Sequence, residues 1–453
     1  MKSFKRIVCV LLAATLAFSL MGCGGKDSNK KTKSKFTKEG RNTTLTFAAW
    51  FDADLQQYLA DKFMETHDDV YVELIPIDQN SWSTGLQNLA STGDLPDAFC
   101  TFDLATATAN SWTMDIGEYY DADPTTQKIS DGLKVAGVYN NKRYGLVTEQ
   151  YPCVVLINKT LFEENNIALP GYDWTIDQMY DLANKLTKVN EHQYGLGSNV
   201  LSYLKDVYDA AYTTDNWQYG FDPTKGIFGT KYLAQGYSKG LELLNNNIAG
   251  NPSAEDKEAW YGDPDIWLPK TGKQAMQLDW YWTIETVKSK EYKSLGQDWL
   301  VYPFPVGTSK RVQTIVNVGC VAETCANPEL AYELLKFMTF GEDGWKARVE
   351  WYKANNKLPA SVPIVKDDEI LNLIKEMTPG DDYSAVYDSI DRSVADVKKW
   401  VPGLTEFNAW MDSQDMWTQL RNSDLKVEDV ADQMEQKLNL YYSECMNKII
   451  ARG

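Results

Sequence analysis

At 453 residues, 43% hydrophobic, 24% charged and 12% aromatic, the chain is long enough for two large domains or about three of roughly 150 residues, and its make-up excludes a disordered tail, a collagen and a polytopic membrane protein. Its formal charge of -18 argues against nucleic acid as a partner, because a phosphate-binding surface needs clustered Lys and Arg. With His67 and His192 as the only histidines, a His dyad or a multi-His metal cage has almost no way to be built.

Taken in chain order, Lys2, Lys5 and Arg6 precede an apolar run from Ile7 to Leu20, the charged and apolar parts of a signal peptide over residues 1–22, too short for a spanning helix. Leu20-Met21-Gly22-Cys23 resembles the bacterial lipobox, which implies diacylation of Cys23. Two acyl chains hold a protein stably at a membrane, so the expected location is the outer face of the cell membrane. Residues 23–42 read as a flexible basic linker, with Lys26, Lys30, Lys31, Lys33, Lys35, Lys38 and Arg41 against Asp27 and Glu39. A basic stem under an acidic body suits an anionic membrane surface. Beyond Cys9 and Cys23 there remain Cys100, Cys153, Cys320, Cys325 and Cys445; an odd number cannot pair completely, so mostly buried thiols are expected, with room for one disulfide.

The body opens on Thr44-Leu45-Thr46-Phe47-Ala48-Ala49-Trp50, a strand pattern. Asp52 then caps a helix carrying Leu55, Tyr58, Leu59 and Phe63 on one face. Tyr71 to Pro76 reads as a second strand and Trp82 to Ala90 as a second helix. Such alternation predicts β-α-β units around a parallel sheet, whose ligand crevice lies beyond the carboxyl ends of the strands; that places Trp50, Phe51 and Asp52 in it.

Farther along, Gly93-Asp94-Leu95-Pro96-Asp97-Ala98, Tyr144-Gly145-Leu146 with Val154-Val155-Leu156-Ile157-Asn158-Lys159, and Trp174-Thr175-Ile176-Asp177-Gln178-Met179 follow one another. Gly272-Lys273-Gln274-Ala275-Met276 through Trp282, Asn327-Pro328 to Phe340, and Leu358-Pro359-Ala360 complete the series. In that order, behind a lipobox, they resemble the carbohydrate-type extracellular solute-binding proteins of ABC importers. Tyr144-Gly145-Leu146-Val147 departs from the usual Tyr-Gly-Leu-Pro, with the proline displaced to Pro152. The resemblance implies an α/β fold of two discontinuous lobes joined by crossing strands. The lobes are expected over 43–150 with 301–345, and over 151–300 with 346–453. Crossings are expected near Thr148–Cys153, Trp299–Pro305 and Gly341–Trp351, with Asn327 capping a helix and the C-terminal helices on the second lobe. It also implies a monomer that hands a carbohydrate to the transmembrane subunits of a permease.

A sugar offers apolar C–H faces and hydroxyl edges, so its pocket wants flat aromatic platforms beside carboxylates or amides. The 15 Trp and 26 Tyr supply many candidates: Trp50 with Asp52, Trp82, Asp103, Glu149 with Tyr151, Trp280, Trp282 and Trp351. Trp50 and Trp282 are the expected platforms from opposite lobes. Asp103 and Glu149 suit sugar hydroxyls, and each suits equally a helix cap or a hinge contact.

Catalysis finds less support. Gly236-Tyr237-Ser238-Lys239-Gly240 matches the G-x-S-x-G pattern, but no His follows Ser238 and the flanks read as a helix. Asp121-Ala122-Asp123 starts like a calcium loop and lacks its later ligands. A secreted glycoside hydrolase, which needs two suitably spaced carboxylates, is the enzymatic rival; a solute-binding protein for a non-sugar ligand is the other. The sequence reading is a binding protein with no enzyme activity, no metal and no cofactor.

Overall fold

The computed structural model describes residues 33–452; the expected signal peptide and Cys23 lie outside them. Ten strands form one continuous mixed sheet among the described residues. They are β1 (Thr43–Ala48), β2 (Val70–Leu74), β3 (Ala98–Thr101), β4 (Leu146–Asn158), β5 (Tyr194–Gly197), β6 (Ala249–Gly250), β7 (Gln274–Trp280), β8 (Trp299–Pro303), β9 (Val312–Val321) and β10 (Ser393–Ala395). The order is β2-β1-β3-β9-β4-β7-β5-β6, with β8 on β4 and β10 on β9.

Strand β4 is long enough to serve two sheet halves. Its first half pairs antiparallel with β9, Glu149 opposite Asn317 and Pro152 opposite Thr314. Its second half is flanked by β7, Cys153 opposite Trp280, and by β8, Asn158 opposite Trp299. Because side chains alternate across a strand, Val154 and Leu156 enter one buried cluster and Val155 and Ile157 a second. The first cluster gathers Phe47, Leu59 and Phe63; the second gathers Phe162, Leu204, Trp280 and Phe304. The first cluster also takes in Leu201, Leu233 and Val301, so the clusters do not divide the chain as the sheet does; the two lobes are the α/β halves that meet along β4.

The crossing expected at 148–153 is therefore β4 itself. The return differs from expectation: the Trp299–Pro303 run stays in the second half, held by its ladder to Val154–Asn158. The chain returns on β9, from Val312 in the second cluster to Val321 opposite Ala98. A register shift between Asn317 and Val318 leaves Thr148 unpaired, a β-bulge where the two crossing strands lie side by side.

Helices form where the apolar spacing predicts them. In α1 (Ala53–Thr66), Asp52 accepts from the Asp54 and Leu55 amides, and Leu55, Leu59 and Phe63 are buried. Helix α2 spans Trp82–Thr92, and the short α3 spans Leu104–Ala109. In α4 (Ile176–Leu186), the Thr175–Gln178 capping box closes and Ile176, Met179, Ala183 and Leu186 are buried. Helices α5 (Val200–Tyr212) and α6 (Lys231–Asn245) pack against each other in the second lobe. The G-x-S-x-G glycines belong to this contact. A Cβ on Gly236 would lie 2.3 Å from the Leu204 carbonyl oxygen, and one on Gly240 2.7 Å from Leu201 Cα. Ser238 sits in mid-helix and donates to Glu428, so the pentapeptide forms no strand-turn-helix elbow.

Helix α7 (Pro328–Met338) begins with proline, but the Asn327 side chain makes no capping bond. The third crossing expected at 341–351 is a helix, α8 (Glu342–Asn355), packed on α1 and α7. A boundary at 345/346 would divide that helix. The C-terminal helices also do more than cover the second lobe. The helix Asp381–Asp388 lies on β8, whereas α9 (Leu404–Ser413) packs on α10 (Val427–Ala451), which itself lies between α6 and α3. The end of the expected linker is docked: Ser34 donates to Asp61 at 2.7 Å and Phe36 packs on the first core under the Arg41 guanidinium, 4.7 Å away. The Lys35 amide also donates to Asp61 at 3.1 Å and Arg41 to the His67 carbonyl at 2.9 Å, so hydrogen bonds and the stacked cation hold the segment together.

The five cysteines beyond residue 32 are free thiols, and Cys100, Cys153, Cys320 and Cys445 are buried. Among the described residues no helix is long and apolar enough to cross a membrane.

Candidate functional site

The loops leaving β1 and β3 end in aromatic residues, and these converge. Trp50 follows β1 and Phe102 follows β3; their rings stack with centroids 4.1 Å apart and planes 18° apart. Trp82, on the first turn of α2, stands edge-on behind Trp50 at 5.1 Å, and its indole N–H donates to the Cys100 carbonyl at 2.9 Å. The result is a rigid flat surface with its back in the core. Facing it, Trp282 leaves the end of β7 and touches Tyr151 of β4, centroids 5.2 Å apart. Trp282 is 42% exposed, a large apolar surface left to solvent.

Between these surfaces lies a cavity of about 500 Å³, lined among others by Trp50, Phe51, Asp52, Phe102, Tyr352 and Lys357, with Trp282 and Glu285 on the other side. Glu149, Tyr151, Ile315 and Asn317 of the crossing strands also line it, so the cavity sits directly on the hinge.

Glu149, Tyr151, Asn317, Arg348 and Lys399 form one network, and Asp52 with Lys357 a separate pair. Glu149 is 3% exposed. It accepts from Arg348 at 3.0 Å, from the Tyr151 hydroxyl at 3.0 Å and from the Asn317 amide at 2.9 Å. Arg348, on α8, also donates to the Met338 carbonyl at 2.6 Å and lies over the Phe51 ring at 4.7 Å. Lys399 donates to the Val316 carbonyl at 2.8 Å and to Asn317 Oδ1 at 2.9 Å. Burial pushes the Lys399 ammonium below the ordinary lysine value, with the nearby Asp396 opposing. At the mouth Asp52 pairs with Lys357 at 2.7 Å. Burial works to raise its carboxyl pKa, but Lys357 and the helix amides outweigh it and hold the group below the usual carboxylate range.

Of the sequence candidates, Trp50, Asp52, Glu149, Tyr151 and Trp282 come together at this cavity. Four do not line it. Trp82 backs Trp50. Trp280 is buried in the second core, because the strand's alternation stops there: the tight turn Tyr281–Thr283 swings Trp282 outward instead. Trp351 is buried, and the next residue, Tyr352, reaches the cavity. Asp103 is a helix cap, accepting from the Thr106 amide at 2.9 Å, the Thr106 hydroxyl at 2.8 Å and Thr405. Sequence reasoning missed Phe102, Asn317, Arg348, Lys357 and Lys399. Phe102 stood one residue from a named candidate; the others come from segments whose place beside the cleft only the fold reveals. Among the described residues no group of three or more His, Cys, Asp or Glu side chains could hold a metal ion.

Comparison with known proteins gives a consistent result. Residues 48–342 match the family of the bacterial extracellular solute-binding protein. No curated protein matches the sequence. Solved structures do match. An ABC substrate-binding protein from Listeria monocytogenes in complex with cycloalternan is 22% identical, with 88% of this chain and 98% of that one covered at a TM-score of 0.66. The sugar-binding protein MalE from Xanthomonas citri is 13% identical over 88% and 98%, at a TM-score of 0.69. A sugar transporter from Rhizobium etli in an open conformation is 17% identical over 87% and 98%, at 0.66. At these identities the likeness is one of fold.

Proposed function

The chain belongs to the bacterial extracellular solute-binding proteins, and from that premise we propose that it captures a sugar or short oligosaccharide for an ABC importer and hands it to the membrane permease. The observation that carries the carbohydrate reading is the cavity on the crossing strands, with the Trp50–Phe102 surface on one lobe and Trp282 on the other. Flat rings take the C–H faces of a pyranose, and the Glu149, Asn317 and Asp52 groups take hydroxyl edges. The cycloalternan bound in the Listeria structure and the description of the Xanthomonas protein as sugar-binding support the same class.

In this reading the lobes rotate about β4 and β9 and close on the ligand, so contacts from both sides exist together only in the closed form. Ligand shifts an open–closed balance by its preference for the closed state. No bond of the ligand breaks. The nine sequence candidates divide accordingly: Trp50, Asp52, Glu149, Tyr151 and Trp282 contact or orient ligand, while Trp82, Asp103, Trp280 and Trp351 support the wall. A melting-temperature screen across glycans should find one class that raises the transition by mass action. Silence across glycans with a response to a peptide, polyamine or metal complex would remove the carbohydrate assignment, and release of reducing ends at ordinary turnover would favour a glycoside hydrolase.

We further propose that Cys23 carries the lipid anchor and that the protein works as a monomer on the outer face of the cell membrane. Replacing Cys23 by Ser should move the protein from the membrane fraction to the medium, since a single unacylated basic stem binds weakly. Retention of the variant at the membrane would contradict the anchor.

A further inference from the structure

Four of the charges lining the cavity pair off, and two do not. Asp52 is met by Lys357 at 2.7 Å and Glu149 by Arg348 at 3.0 Å. Glu285, the remaining acid of the lining, is exposed to solvent. Lys399 makes no direct ion pair among the described residues, while its neighbour Lys398 is held by Asp206 at 2.8 Å; the buried Asp396, which accepts from the Val316 amide, and Glu149 attract the Lys399 ammonium only from a distance. Both acceptors of Lys399, the Val316 carbonyl and Asn317 Oδ1, are neutral. An ammonium has three N–H bonds, so one is left for whatever occupies the cavity. Its Nζ stands 5.9 Å from the Trp50 ring centroid and 5.8 Å from that of Phe102, beside the surface on which a sugar ring would lie.

A neutral pyranose would satisfy the free N–H but bring no negative charge into contact with it, and excluding water from a cation that no carboxylate touches is costly. We propose that the ligand is an acidic saccharide, its ring on Trp50 and an anionic substituent, a carboxylate or a sulfate, on the Lys399 ammonium. This rests on the carbohydrate reading above and narrows it. Charge-assisted bonds are the stronger ones, so Lys399 would set specificity from the edge of the platform.

The test is calorimetry on the full-length protein with a short oligogalacturonate, its methyl ester, a sulfated disaccharide and neutral maltotetraose. The free acid or the sulfated sugar should bind at least about tenfold more tightly than the neutral compounds, a margin that shrinks as salt is added; which of the two prevails identifies the anion. Lys399→Met should abolish the preference and Lys399→Arg should keep it. The acid-versus-ester comparison on the unaltered protein decides the matter even if a variant folds poorly. Equal or tighter binding of the ester or of maltotetraose overturns the inference and leaves the carbohydrate function standing, as does a preference that survives in Lys399→Met. Binding of none of the four, with a non-sugar solute raising the melting temperature, overturns both.

Discussion

Replacing Arg348 by Met is expected to lower folding stability by about 3–5 kcal/mol, the cost of stripping one partner from a buried ion pair. Arg348 is 1% exposed and Glu149 3%, so water cannot take over the lost contact. The Tyr151 and Asn317 donors remain on Glu149, but neither carries a positive charge. The Met338 carbonyl also loses its 2.6 Å donor at the end of α7. Denaturant melts with a common slope would read the loss directly. A double variant, Arg348→Met with Glu149→Gln, should recover a large part of it, because the isolated charge is gone; the cycle then measures the coupling. If the single variant loses under 1 kcal/mol, the network at the hinge is not the structural tie described above.

Replacing Trp50 by Ala is expected to weaken ligand binding by about 1–3 kcal/mol, by analogy with bases stacked on aromatic side chains, which is roughly 5- to 150-fold in Kd. The surface is prebuilt: Phe102 fixes the ring from one face and Trp82 from its edge, so little ordering is left to oppose binding. Trp282→Ala should act in the same direction from the other lobe. The two rings are separate surfaces that meet only through ligand, so the doubly substituted protein should lose more than either alone. Calorimetry with the best ligand of the melting screen checks this. Unchanged affinity in Trp50→Ala would remove that ring from the site.

Much of this was legible from residue order alone. Asp52 before Leu55, Leu59 and Phe63 announced α1, and Thr175 three residues before Gln178 announced the cap of α4, because both signals are local. The crossing on β4 was expected for a different reason, the resemblance to a family with crossing strands; along the strand itself only Cys153–Ile157 is apolar on both faces, while Thr148, Glu149 and Gln150 are polar yet buried. What stayed hidden depends on pairing partners far along the chain. Leu-Val-Tyr-Pro at 300–303 reads like any strand, and only its ladder to β4 keeps it in the second half. Arg348 and Lys399 reach the cavity across 199 and 82 residues from the groups they bond, a distance that no spacing rule spans. Asp103 and Glu149 were each open to two readings. The structure makes the first a cap and puts the second in the hinge network, because Thr106 sits at the third position of α3 and Arg348 lies opposite β4.

The most direct test of the central claim is small-angle scattering on the purified protein, first alone and then saturated with its tightest-binding saccharide. Closure about β4 and β9 predicts a smaller radius of gyration with ligand, by an amount that returns to the free value when the sugar is dialysed away. Superimposable profiles at full occupancy would mean that the two lobes do not close on what they bind, and the account of capture given above would fail.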